Sequence, residues 1–142
     1  MLSDRSLDML ERDPKHLKSE LNLTRVLLEM GRPEEALLHV QKGLAIDSTA
    51  AESWRLLGRV QGELRQTEPA LEAYRKAIAL DEHDTWSMNN MGLVLIKAGR
   101  FQEAIGPLAR ATQIDSSVPA FQNNLGMALE RTGYFTAAAT AY

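Results

Sequence analysis

Few residues in this chain have the type and spacing that catalysis needs. His16, His39 and His83 are the only side chains that titrate near neutral pH, and they form neither an HExxH pair nor any other metal-ligand spacing. The run Asp81-Glu82-His83-Asp84 has the charge of a cation site. It lacks the alternating oxygen ligands and the glycine of a calcium loop, and it reads as a solvated turn leading into a helix N-cap. Gly92 to Gly99 is not a phosphate loop, because no Gly-Lys-Ser/Thr follows. With no cysteine there is no disulfide, thiolate metal site or cysteine nucleophile, and the compartment stays undecided, with the cytoplasm favoured. No active site, metal or cofactor is therefore expected, and the chain is not read as an enzyme.

The remaining polar residues suit binding. Arg55 and Arg59 stand four apart, so on a helix they present two planar forks to a carboxylate or phosphate. Asparagine amides such as Asn89, Asn90, Asn123 and Asn124 donate and accept together, which matches an extended peptide backbone. Trp86 offers an apolar shelf. Each has a structural alternative: the arginines can pair with Glu52 and Glu63, Asn90 and Asn124 can bond between repeats, and Trp86 can pack on its neighbour.

The elements that must position these groups follow from a repeat. Asp13, Asp47, Asp81 and Asp115 are spaced by 34 residues, as are Ala36, Ala70, Ala104 and Ala138, and Gly58, Gly92 and Gly126. Gly31, Gly99 and Gly133 share another column, in which Arg65 is the exception. This register divides the chain into a partial unit at 1–16, whole units at 17–50, 51–84 and 85–118, and a truncated unit at 119–142. Each unit holds two amphipathic helical patterns, for example Leu57, Val60 and Leu64 in the first and Ala70, Tyr74, Ala77 and Ile78 in the second. Glycines 31, 99 and 133 are placed to end the first helix in a left-handed cap, which makes the two helices antiparallel neighbours. The small columns at Gly58 and Ala70 let the helix axes approach, with Trp54, Tyr74, Leu108 and Phe121 filling the ends of that contact. Gly106-Pro107 falls inside a second helix and should bend or locally open it. A lone hairpin cannot cover its apolar face, so the hairpins must stack into a solenoid.

The 34-residue period, Trp54-x-x-Leu57-Gly58, the Ala70, Tyr74, Ala77 series and the turns Gly31-Arg-Pro-Glu-Glu-Ala36 and Gly99-Arg-Phe-Gln-Glu-Ala104 resemble the tetratricopeptide repeat (TPR). Thr24 departs from the glycine column, Gly43 from an alanine column, and Ser48, Glu82 and Ser116 from a proline column that Pro14 alone keeps. The resemblance implies an all-α, right-handed superhelical solenoid of antiparallel helix pairs. It also implies a non-catalytic protein-interaction scaffold with a concave groove lined by the first helices. Carried onto this sequence, the groove residues are Lys18, Asn22, Arg25, Arg55, Arg59, Trp86, Asn89, Asn90, Leu93, Asn123, Asn124 and Met127, with Leu21 in the same stripe. The basic members fall in the N-terminal half, whereas the amide and apolar members fall in the C-terminal half.

The expected partner is thus a protein or peptide, and an acidic one. Some family members grip a C-terminal carboxylate with Lys, Asn and Arg, but Ala120 and Asn124 occupy the later basic positions here, which favours an acidic internal segment. Alternatives are the targeting arm of a larger enzyme such as a glycosyltransferase, or self-association. A formal charge of -3 calls for neither nucleic acid nor an anionic membrane surface. MLSDRSLDML is too charged for a signal-peptide core, and no apolar run reaches the ~18 residues of a membrane span. One domain is expected from the length. Residues 1–12 resemble a lone second helix and Tyr142 falls part-way through another, so both ends should be frayed or covered by a copy stacked end to end in a heterologous contact.

Overall fold

The computed structural model describes the backbone of residues 14–141 and the side chains of 16–133; the expectations for Asp13, for residues 1–12 and for Tyr142 lie outside them. The chain is all-α. Its helices are α1 (Pro14–Glu29), α2 (Pro33–Ile46), α3 (Ala51–Glu63), α4 (Thr67–Leu80), α5 (Thr85–Lys97), α6 (Phe101–Ile114) and α7 (Pro119–Ala141). In place of the single domain expected, contacts divide it into two compact units, 1–80 and 81–142.

In the first unit α1 pairs with α2, α2 with α3 and α3 with α4, around Leu21, Leu27, Val40, Leu56 and Val60. In the second, α5 pairs with α6 and α6 with α7, around Met88, Leu95, Leu108 and Phe121. Burying each of these large side chains contributes about 2 kcal/mol.

The helix ends show why the period holds. Gly31 and Gly99 adopt φ of 72° and 76°, and the next amides bond back five residues, Arg32 N to Leu27 O at 2.9 Å and Arg100 N to Leu95 O at 2.8 Å. That is the Schellman ending, which needs a left-handed residue. Arg65 takes the same conformation with φ 59°, and Gln66 N bonds Gln61 O at 2.9 Å, so the turn survives without glycine. The arginine after each glycine forks onto a glutamate three residues on, with Arg32 Nε to Glu35 at 2.9 Å and Arg100 Nε to Glu103 at 2.6 Å. Between hairpins, the periodic aspartates close Asx turns. Asp47 accepts from Thr49 N at 2.8 Å, Asp81 from His83 N at 3.0 Å and Asp115 from Ser117 N at 3.1 Å. Asp84 then caps α5, accepting from Ser87 N at 3.1 Å and Ser87 Oγ at 2.6 Å, so the acidic run is a turn and a cap.

Three expectations need correction. Tyr74 and Leu108 do not sit at the ends of the small-residue contact; they lie directly on Gly58 and Gly92. A Cβ at Gly58 would come within 2.6 Å of the Tyr74 ring, and one at Gly92 within 2.4 Å of Leu108. The matched pair in the first hairpin is Thr24 with Val40, 16 residues apart like the other two pairs, and Thr24 satisfies its hydroxyl on Glu20 O at 2.7 Å. Pro107 does not open α6, which is continuous from Phe101 to Ile114. Gly106 beside it is exposed with open space around it, so the ring meets no packed neighbour there. Finally, Gly133 makes no turn: it is absent from the left-handed residues, and α7 runs unbroken for 23 residues.

Candidate functional site

The first helix of each hairpin spends one stripe on the core and leaves another in solvent, and the residues on that outer stripe differ between the units. In the first unit, Lys18, Asn22 and Arg25 lie on α1, and Arg55 and Arg59 on α3, all exposed or half-buried. Arg25 Nη1 donates to Asn22 Oδ1 at 2.8 Å, and its other terminal nitrogen pairs with Glu52 of α3. Burial pulls the Arg25 guanidinium below its ordinary value, and the charges of Arg55 and Arg59 push the same way. Three guanidinium groups from two helices therefore share one neighbourhood. Arginine remains charged there, so the cluster is a ready acceptor site for oxyanions.

Glu52 is the residue that sequence reasoning left out of the binding set. Its salt bridge spans α1 and α3, and the signal was its place one turn before Arg55. Any anion that engages Arg25 has to compete with it. Leu21, expected on the same stripe, is in the core instead, where its Cδ2 would lie 3.2 Å from a Cβ at Gly43. That contact also explains glycine in an alanine column.

The second unit offers amides and apolar surface. Trp86 is 48% exposed and meets the edge of Phe121, centroids 4.9 Å apart with the rings at 70°, so it both packs on its neighbour and presents surface. Asn89 corrects the expected lining. It is only 2% exposed because Asn124 Nδ2 donates to its Oδ1 at 2.8 Å, bridging α7 to α5, and its own amide lies 3.4 Å from Asn90 Oδ1. Asn89 therefore orients Asn90 and Asn124 from below and touches no ligand. Asn90, Leu93 and Asn124 are half-buried, while Asn123 and Met127 are exposed. Extended backbone is what such paired amides can hydrogen-bond, with Trp86 and Met127 as apolar contacts.

Elsewhere His39 Nδ1 lies 2.7 Å from Glu20, between α2 and α1, and no three His, Asp or Glu side chains converge among the described residues. No described helix is long and apolar enough to cross a membrane.

Comparison with known proteins returns the repeat seen in the geometry. Two family models, both described as tetratricopeptide repeat, match residues 51–84 and 89–142. No curated protein sequence matches the chain. Among solved structures, MamA is similar with a TM-score of 0.76 at 25% identity, covering 91% of this chain and 76% of MamA. A Thermobaculum terrenum O-GlcNAc transferase mutant is similar with TM-score 0.76 at 23% identity, covering 91% of this chain and 23% of the transferase. The second TPR domain of human RPAP3, solved in complex with the HSP70 peptide SGPTIEEVD, is similar with TM-score 0.74 at 18% identity, covering 80% of this chain and 95% of the domain.

Proposed function

The chain belongs to the tetratricopeptide-repeat family, and from that premise we propose that it is a protein-interaction scaffold. It binds an acidic internal segment of a partner protein along the outer stripe of its first helices. The observation that carries this reading is the convergence of Arg25, Arg55 and Arg59 in a chain of net charge -3. A carboxylate brought to Arg55 and Arg59 gains charge-assisted, fork-shaped hydrogen bonds, and it weakens the hold of Glu52 on Arg25. Asn90, Asn124 and Trp86 supply main-chain and apolar contacts in the other unit. The RPAP3 domain's peptide carries two glutamates and an aspartate, which agrees with an acidic ligand for this fold. If these repeats belong to a longer enzyme, they serve it in the same role, as the part that recruits a protein.

The test is fluorescence anisotropy with a labelled Glu-Ser repeat peptide, made both amidated and with a free C-terminus, against its Gln-Ser counterpart. Binding is expected for both glutamate peptides and not for the glutamine one, and it should weaken with added salt. Arg55→Glu combined with Arg59→Glu should cost more than about tenfold in Kd, the equivalent of ~1.4 kcal/mol. Equal affinity of the wild type and the double variant for the glutamate peptides would reject the site.

A further inference from the structure

The hairpins of α3 with α4 and of α5 with α6 are built alike, with the second helix laid back over the first. Gly58 then meets Tyr74, and Gly92 meets Leu108. In each case the partner lies 16 residues further along the chain, and 16 residues beyond Gly126 is Tyr142. The same register puts Phe135 and Ala138 in step with Phe101 and Ala104, the start of α6. Residues 134–142 therefore carry the sequence of a second helix made to cover the first half of α7.

They do not cover it from within the same chain. α7 passes through Gly133 without a turn, and on a straight helix a residue 16 positions on is ~24 Å away. The face they would occupy stands open. Gly126 is exposed and has nothing within 4 Å of an added Cβ. Leu129 is 49% exposed, while Leu27 and Leu95 at the same repeat position are 6% and 3% exposed. A core position is thus uncovered, and the segment matched to it is carried away from it on the same helix.

We infer that residues 134–142 of one copy dock on the Gly126–Leu129 face of a second copy while the second copy returns the same segment, a reciprocal exchange of second helices. The exchange rebuilds, between chains, the hairpin that the other repeats form within one. Being two-fold and closed, it stops at a dimer, unlike the end-to-end stacking suggested by sequence alone. It takes nothing from the peptide-binding proposal, since Arg25, Arg55 and Arg59 lie in the other unit.

Size-exclusion chromatography with light scattering on the 142-residue chain over a concentration series tests it. A monomer–dimer equilibrium that goes no further is expected. Gly126→Leu fills the notch that the exchanged Tyr142 would enter and should abolish the dimer while leaving helical circular dichroism unchanged. Inserting Gly-Asn-Gly after Gly133 lets the segment fold back on its own α7 and should also give a monomer. A wild-type mass of one chain at every concentration overturns the inference. So does a dimer that survives both changes, or growth beyond two copies.

Discussion

The two units solve the same packing problem with different residues, and their differences separate frame from function. Where α3 begins, Ala50 offers no side-chain cap, and Ser53 is left with a buried hydroxyl that has no partner. Where α5 begins, Asp84 caps the helix and takes up Ser87, the repeat equivalent of Ser53. The first unit turns at Arg65 with a left-handed arginine, and the second turns at Gly99. The carbonyl before each first helix is likewise met by whatever is at hand. Trp54 Nε1 donates to Ser48 O at 2.8 Å, Gln122 Nε2 to Ser116 O at 2.8 Å, and the Arg110 guanidinium lies 3.5 Å from Glu82 O. The fold tolerates these exchanges because the hydrogen bond is needed and the donor's identity is not. The outer stripe shows the converse pattern: its residues do no work for the frame, so they can differ in kind, arginines in one unit and amides with a tryptophan in the other.

The largest effect that would test this contrast lies at the close contacts. Gly58→Ala and Gly92→Ala should each destabilise by about 2 kcal/mol, because a ring or a branch-point carbon must move. Gly126→Ala, in open space, should be neutral or stabilise by up to about 1 kcal/mol through helix propensity. Urea unfolding distinguishes the two outcomes, and equal losses at Gly92 and Gly126 would contradict the packing described.

Next in size are the caps. Ala50→Asp should stabilise by about 1 kcal/mol by giving α3 the cap that Asp84 gives α5, and Asp84→Ala should remove a similar amount. If Ala50→Asp gained nothing in thermal unfolding, Ser53 would be satisfied in some other way. Arg65→Gly should add about 0.5 kcal/mol, since glycine takes a left-handed conformation without steric cost; the same unfolding series checks it.

The smallest effect is a pH dependence. The Asp47 and Asp115 carboxyls sit below the usual aspartate range because the hydroxyl and backbone N–H of Thr49 and Ser117 bond to them. Their contribution to stability is present above the unfolded aspartate value of ~3.9 and is lost as pH falls through the lower folded value. Both groups are near the surface, so the loss should be slight. Carboxyl NMR titration of wild type and Thr49→Ala should show the Asp47 midpoint rise in the variant; an unmoved midpoint would remove the Asx turn as its cause.

Much of the frame was legible in one sequence because a 34-residue period makes each unit corroborate the next. The helix pairs, the glycine turns at Gly31 and Gly99, the apolar stripes and the binding types on the outer stripe all followed from spacing. What spacing could not supply was which groups meet. Asn89 and Asn90 differ by one position, yet the amide bond from Asn124 buries one and leaves the other half-open. Leu21 lies on the outer stripe by count but is drawn into the core by the room at Gly43. Glu52 became Arg25's partner through contact between helices 27 residues apart in sequence.

Gly133 marks the same limit from the other side. By sequence it matches Gly31 and Gly99, and those two turn because a following helix packs back over the first and its burial rewards the left-handed residue. At Gly133 local propensity alone decides, and continuing α7 keeps every backbone hydrogen bond. The sequence by itself determined the repeat, the helices and the kinds of side chain left for binding, since these depend on periodicity and chain-local chemistry. The tertiary structure alone decided burial, pairing and whether a permitted turn is taken, because those depend on what each face finds to pack against.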